Sequence, residues 1–197
     1  RQFNSSNITP LPRALRAAQA TDQNIGDLLG ILYVGKYFSR EAKSTATGMF
    51  ENIRTAVGNR IKSTPWMSEE TKARSLDKLS KMMAVIGYPE RRRDYTGLVI
   101  RDDDLYGNID RARQLRWRQR IAQLDKPFDR LEGAFTPQNV NYNASTQTNT
   151  IYIPAGLLQP PFFDLRADPA VNYGAVGVTI GQMIASAFDD NGQHYQA

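Results

Sequence analysis

The sequence predicts a mainly α-helical protein with a small β part. Three observations carry this reading. Apolar residues recur at helical spacing through the long stretches before residue 125; one short segment near residue 150 has the composition of a strand; and an apolar stretch after residue 168 opens with a helix-start signal. At 197 residues the chain can bury a sizeable core, as one large domain or two small ones.

In chain order, residues 1–12 read as an extended arm punctuated by Pro10 and Pro12. Helical periodicity begins near Arg13 and runs to Phe38. Ser39 is placed to cap a second helix ending near Lys62. Its apolar stripe of Ala46, Phe50, Ile53, Val57 and Ile61 is spaced 4-3-4-4, which fits one buried face. Pro65 and Trp66 break the chain, and Ser68 caps a third helix with Glu69 and Glu70 at the positive end of its dipole. Leu76, Leu79, Met83 and Ile86 are expected along the buried side of that helix, with Gly87 and Pro89 stopping it. Leu98 to Ile100 reads as a short extended piece, and a fourth helix runs from about Asp103 to Leu124. Beyond Pro127 the texture becomes rich in Asn, Thr and Gln and leads into Thr150 to Ile153, the clearest strand candidate. Pro160-Pro161 gives a rigid turn. Asp168-Pro169 joins a capping residue to a proline at the first helical position. The last helix, to about Phe188, is almost uncharged, and Val176, Ile180, Met183, Ile184 and Ala187 predict burial nearly all round.

Composition removes several classes of chemistry. There is no cysteine, which excludes disulfides, thiolate metal sites and cysteine nucleophiles. The single histidine, His194, excludes any site that needs two histidines from one chain. Residues 131–197 carry one base, Arg166, and five acids, a balance of −4; with +5 overall, the part before residue 131 holds +9. A boundary is therefore expected near residue 130. No apolar run reaches membrane-spanning length, the best candidate (Ile25 to Phe38) being interrupted by Asp27 and Lys36. The first residues do not read as a signal peptide.

The fourth helix carries Arg111, Arg113, Arg116, Arg118 and Arg120 around Trp117, the composition of a nucleic-acid patch with a stacking aromatic. At helical spacing these arginines spread around the circumference, and Asp102, Asp103, Asp104 and Asp110 lie close by. A solvated, ion-paired helix is the better explanation. Arg91-Arg92-Arg93 follows a helix end, where positive charge is favourable. Asn4-Ser5-Ser6, Asn7-Ile8-Thr9 and Asn143-Ala144-Ser145 match the short, common glycosylation pattern. Asp189 and Asp190, adjacent on a helix end, point about 100° apart and read as structural hydrogen-bonding groups rather than a catalytic pair.

Several strings then combine. Leu32-Tyr33-Val34-Gly35-Lys36-Tyr37-Phe38, Trp66-Met67-Ser68-Glu69-Glu70-Thr71-Lys72, Ile86-Gly87-Tyr88-Pro89, Pro154-Ala155-Gly156-Leu157-Leu158-Gln159-Pro160-Pro161-Phe162-Phe163 and Asp168-Pro169-Ala170-Val171-Asn172-Tyr173-Gly174-Ala175 occur in this order. The chain from about Ile25 onward resembles the neprilysin and endothelin-converting-enzyme family of zinc endopeptidases. The resemblance implies that residues 1–130 form part of the family's helical lobe and residues 131–197 the incomplete beginning of its thermolysin-like catalytic lobe, so that the chain is a middle piece. It implies an extracytoplasmic or secreted setting, with an organelle also open.

In the family, the last helix carries His-Glu-x-x-His just before Phe-Asp-Asp-x-Gly: two histidines for zinc and a glutamate as general base. Phe188-Asp189-Asp190-Asn191-Gly192 fixes the register here and puts Gln182, Met183 and Ser186 at those three positions. The family's substrate-holding Asn-Ala becomes Asn141-Tyr142, a large residue replacing a small one. The expected reading is a catalytically inactive scaffold or assembly subunit. It would have no catalytic or metal residue and no zinc, and its partners would be other protein chains or further copies of itself. A zinc endopeptidase fragment acting on peptides and a basic nucleic-acid-associated protein are the alternatives, and no nucleic acid is expected.

Overall fold

The computed structural model describes residues 11–127, 129–130 and 135–195; most of the expected N-terminal arm lies outside these. The protein is mainly α with one small sheet. The elements are α1 (Arg13–Tyr37), α2 (Arg40–Ser63), α3 (Glu69–Ser80), β1 (Met83–Gly87), α4 (Leu105–Ile121), β2 (Asn143–Ser145), β3 (Thr150–Pro154), α5 (Pro169–Asn172), a π-helical turn (Tyr173–Gly177) and α6 (Val178–Ala185). Among the described residues no helix is long and apolar enough to cross a membrane.

The helix starts follow the capping chemistry. The Ser39 side chain accepts from Ala42 N–H, Ser68 from Thr71 N–H, and Asp168 from Ala170 N–H with Pro169 behind it. On α2 the expected stripe is the buried one: Ala46, Phe50 and Ile61 are buried, and Ile53 and Val57 pack against the same core.

The described chain falls into two compact units. The first holds residues 11–29 and 94–127; the second holds residues 30–93, 129–130 and 135–195. In the first unit Arg116 donates to the Gln23 carbonyl at 2.9 Å, and the Tyr95 hydroxyl donates to Asp27 at 2.8 Å. The second unit contains the sheet, ordered β1-β3-β2. In it β1 runs parallel to β3, with Met83 opposite Thr150 and Gly87 opposite Pro154, and β2 runs antiparallel to β3. The core of this unit joins Phe50 and Leu79 from the helices to Ile86, Ile151 and Ile153 from the sheet and to Val176, Ile180 and Ile184 from the last helices.

Three expectations are corrected. Met83 and Ile86 do not extend α3: that helix ends at Ser80, and the two residues belong to β1, because β3 offers a parallel partner that local spacing cannot reveal. Leu98 to Ile100 form no strand; the Val99 carbonyl instead accepts from Arg111 at 2.8 Å. The last helical stretch is not buried all round. Val171, Gly174, Val178, Gln182 and Ala185 form an exposed stripe at steps of three and four residues, while Val176, Ile180, Met183 and Ile184 face the core.

Lys78 organises the end of that stretch. It is only 8% exposed, and its three N–H donors meet three backbone carbonyls: Ala187 at 2.7 Å, Gly192 at 2.6 Å and Tyr195 at 2.7 Å. Its own carbonyl accepts from the Asn149 amide at 2.8 Å, which links α3 to the turn before β3. Burial pushes the Lys78 ammonium below its ordinary pKa, and the nearby Asp189 carboxylate pulls it back up. Asp189 accepts from the Asn191 and Gly192 N–H groups, closing the turn that Lys78 grips. A Cβ on Gly192 would lie 2.3 Å from the Ser186 carbonyl oxygen, so the turn has no room for a side chain there.

Two outcomes test this packing. Gly87 has φ +78°, and a Cβ there would lie 2.3 Å from a Phe38 ring carbon. Gly87→Ala should therefore lower stability to urea by about 2–4 kcal/mol. Gly48→Ala, in open space on α2, should be neutral or stabilising by up to about 1 kcal/mol; equal effects at the two sites would refute the assignment. Lys78→Met removes a donor from three carbonyls, of which Gly192 keeps the Tyr195 N–H, and should cost about 2–4 kcal/mol. It should also open residues 188–195 to limited proteolysis, whereas an unchanged melt with unchanged protection would show that the lysine holds nothing.

Candidate functional site

Gln182, Met183 and Ser186 lie at the C-terminal end of the last helical stretch, with Ser186 the residue just after α6. The helix turns Gln182 outward into the exposed stripe and leaves Ser186 half-buried, four residues on. Met183 points the other way: it is 2% exposed and packs in the core with Ile180 and Ile184. The Ser186 hydroxyl is turned back on its own helix and donates to the Met183 carbonyl at 2.7 Å. The Ser186 N–H donates to the Gln182 carbonyl at 3.0 Å. Serine and methionine are thus committed to the helix and the core, and Gln182 is the member of the three that faces solvent.

Asn141 and Tyr142 lie immediately before β2, the strand at one edge of the sheet, and both are exposed. The Asn141 N–H donates to the Asn139 side chain at 2.8 Å. β2 packs against α6. The fold therefore brings the two segments singled out in the sequence into one part of the second unit, with the edge strand that follows Tyr142 packed against the helix that carries Gln182. His194 sits in a short 3₁₀ turn, Gly192–His194, within the segment gripped by Lys78, between the Gly192 and Tyr195 carbonyls.

Asp189 and Asp190 do not form a carboxylate pair. Asp189 is spent on two backbone N–H groups of the following turn, and Asp190 is exposed with its carbonyl accepting from Gln193 at 3.1 Å. A surface cavity of about 470 Å³ opens between the end of α1 and residues 158–166, and none of the expected site residues lines it. Lys78 escaped the sequence reading. A lysine in the middle of a helix reads as solvated, and the one signal that could have raised it is its place one position before Leu79 on the apolar side of α3.

Comparisons with known proteins bear on the family and the fold. Two models described as peptidase family M13 match residues 1–89 and 139–197. Neprilysin-11 of Caenorhabditis elegans is 37% identical over 193 residues, covering 93% of this chain and 23% of that protein. Endothelin-converting enzyme 1 of Homo sapiens is 35% identical over 194 residues, covering 95% of this chain and 25% of that protein. The structure of Mycobacterium tuberculosis zinc metalloprotease Zmp1 in its open state superposes with a TM-score of 0.90 at 39% identity, covering 99% of this chain and 30% of that one. The chain thus spans about a quarter of the length of the curated relatives it matches. Its two matched segments, its ordered strings and its backbone agree with one another: the chain belongs to peptidase family M13.

Proposed function

We propose that this chain is a catalytically inactive M13 scaffold or assembly subunit that acts through contacts with other protein chains. The observation that carries the reading is the chemistry at positions 182, 183 and 186. The residues present do not fit the zinc ion of the family's peptidases. The Gln182 carboxamide is neutral, Met183 has no proton to exchange and is buried, and the Ser186 hydroxyl is held by its own helix. No other histidine stands in for the missing ligands, since His194 is the sole one in the sequence. The intact strings on either side of these changes favour a retained scaffold over a decaying one. On this reading residues 1–130 belong to the family's helical lobe and residues 131–197 begin its thermolysin-like lobe. Tyr142 then takes the place of a small residue where a substrate backbone would lie.

A second reading, a fragment of a zinc metalloendopeptidase, is favoured by one observation. The chain is 33–40% identical over almost its whole length to proteins named neutral endopeptidase and zinc metalloprotease.

Two measurements separate these readings. After dialysis the chain should hold far less than one zinc per molecule by metal analysis. One tightly held zinc whose affinity falls in Gln182→Ala would overturn the proposal. The triple variant Gln182→His, Met183→Glu, Ser186→His returns two ligands and a base to the helix and should gain weak zinc affinity. It should cleave a quenched peptide substrate no faster than the parent chain; robust, chelator-sensitive cleavage by the triple variant would show that the remaining ligand is supplied from within these residues or from a second copy.

A further inference from the structure

Helix α4 has two apolar faces. Its inner face holds the buried Ala112 with Ile109 and Leu115, and its outer face carries Tyr106, 84% exposed, and Trp117, 63% exposed, with Ile121 exposed beside them and Leu124 just past the helix end. At 100° per residue, Tyr106, Asp110, Arg113, Gln114, Trp117, Arg120 and Ile121 all fall within roughly 120° of one another. From Tyr106 to Ile121 this stripe is roughly 22 Å long at 1.5 Å per residue. Tyr106 and Trp117 run along its middle, Arg113 and Arg120 line one edge, and Asp110, Gln114 and Ile121 line the other.

The arginines of this helix divide into two kinds, which refines the expectation of a solvated, ion-paired helix: Arg111 pairs with Asp104, while Arg113, Arg118 and Arg120 are exposed. Arg111 donates to the Val99 carbonyl and pairs with Asp104 at 3.0 Å, and Arg116 donates to the Gln23 carbonyl and the Asn24 side chain. Both are spent within the first unit. Among the described residues, the side chains of Arg113, Arg118 and Arg120 bond to no neighbour. On the opposite edge Asp110 is already engaged, accepting from Gln114 at 2.7 Å. The stripe therefore presents a greasy centre, two free guanidinium groups seven residues apart on one side, and a closed polar edge on the other.

We propose that this outer face of α4 docks an amphipathic helix of a partner protein that carries acidic residues at i and i+7 beside an apolar seam. The proposal rests on the interaction reading above and gives it a surface and a partner chemistry. Apolar anchors at helical spacing suit a helix laid alongside, and the free arginines fix its charge and direction. A nucleic acid fits less well. Ile121 and Leu124 offer no stacking surface, and the Asp110 carboxylate lies within the stripe where phosphates would run.

The test uses the whole chain and three labelled probes. These are a designed helical peptide of about 18 residues, roughly five turns, with glutamates at i and i+7 beside a leucine seam; its twin with lysines in place of those glutamates; and a single-stranded oligonucleotide. The acidic peptide should bind saturably by fluorescence anisotropy and more weakly as salt is added. Arg113→Glu with Arg120→Glu should weaken it by at least about tenfold and give binding of the lysine twin. Arg113→Lys with Arg120→Lys should keep most of the affinity, Trp117→Ala should lose about tenfold, and Trp66→Ala, the other tryptophan, should change nothing. Absence of saturable binding, or binding indifferent to the charge reversal, overturns the proposal. So does an oligonucleotide that binds where the acidic peptide does not and is lost in Trp117→Ala. Zinc content measured on the same preparation separates the two failures: a zinc-free chain that ignores the peptide loses only the docking surface, and a zinc-loaded chain that binds it loses only the inactive reading.

Discussion

One ammonium group ties the end of the last helical stretch to the helices that precede the sheet. Lys78 reaches carbonyls 109, 114 and 117 residues further along the chain, and all three of its donors are used. A lysine buried in this way would be strongly unfavourable without partners, because desolvation penalises the charge. Three carbonyl oxygens offset that penalty, but only if the turn after α6 holds its shape. Asp189 and Gly192 secure that shape, one by capping two N–H groups and the other by leaving space for a close backbone approach. The position of positions 182–186 follows from this arrangement, since they sit directly before the gripped turn.

The same unit shows how far local pattern reaches. The helix stripe of α2 and the caps Ser39, Ser68 and Asp168 were legible because they depend on residues within one or two turns. β3 was legible because Thr150 to Ile153 are β-branched or aromatic. β1 was not. Met83 and Ile86 continue the three- and four-residue steps of Leu76 and Leu79, and their true pairing lies with residues 150 to 153 across a long connection. Gly87 marks the real end of the strand through its positive φ and the Phe38 ring packed over it, a tertiary contact that no window of sequence contains.

The candidate site divides in the same way. Gln182, Met183 and Ser186 were found by counting back from Phe188-Asp189-Asp190-Asn191-Gly192, a register argument that needs no structure. That Met183 is locked in the core, that the Ser186 hydroxyl is committed to a backbone carbonyl, and that Gln182 alone faces solvent depend on the orientation of the helix against β2 and α2. The expectation of burial all round failed here because uncharged residues occupy both faces: Val171 and Val178 are as apolar as Val176, and only packing distinguishes them. The free arginines of α4 were hidden similarly, since five arginines near four aspartates read as ion pairs until the geometry showed that one of them pairs with Asp104 and two are left on an open edge.

On the proposed reading the chain keeps the M13 backbone while Met183 lies in the core, the Ser186 hydroxyl is held by its own helix and Gln182 faces solvent as a neutral carboxamide. Such a chain would gain nothing from the family's metal, because a ligand stabilises a fold only by binding the native state. Thermal unfolding of the purified chain with a modest excess of zinc, and again with chelator, puts that to the most direct test. The account predicts superimposable melting curves for the parent chain and for Gln182→Ala. A midpoint raised by several degrees in zinc, returned to baseline by chelator and abolished in Gln182→Ala, would contradict it.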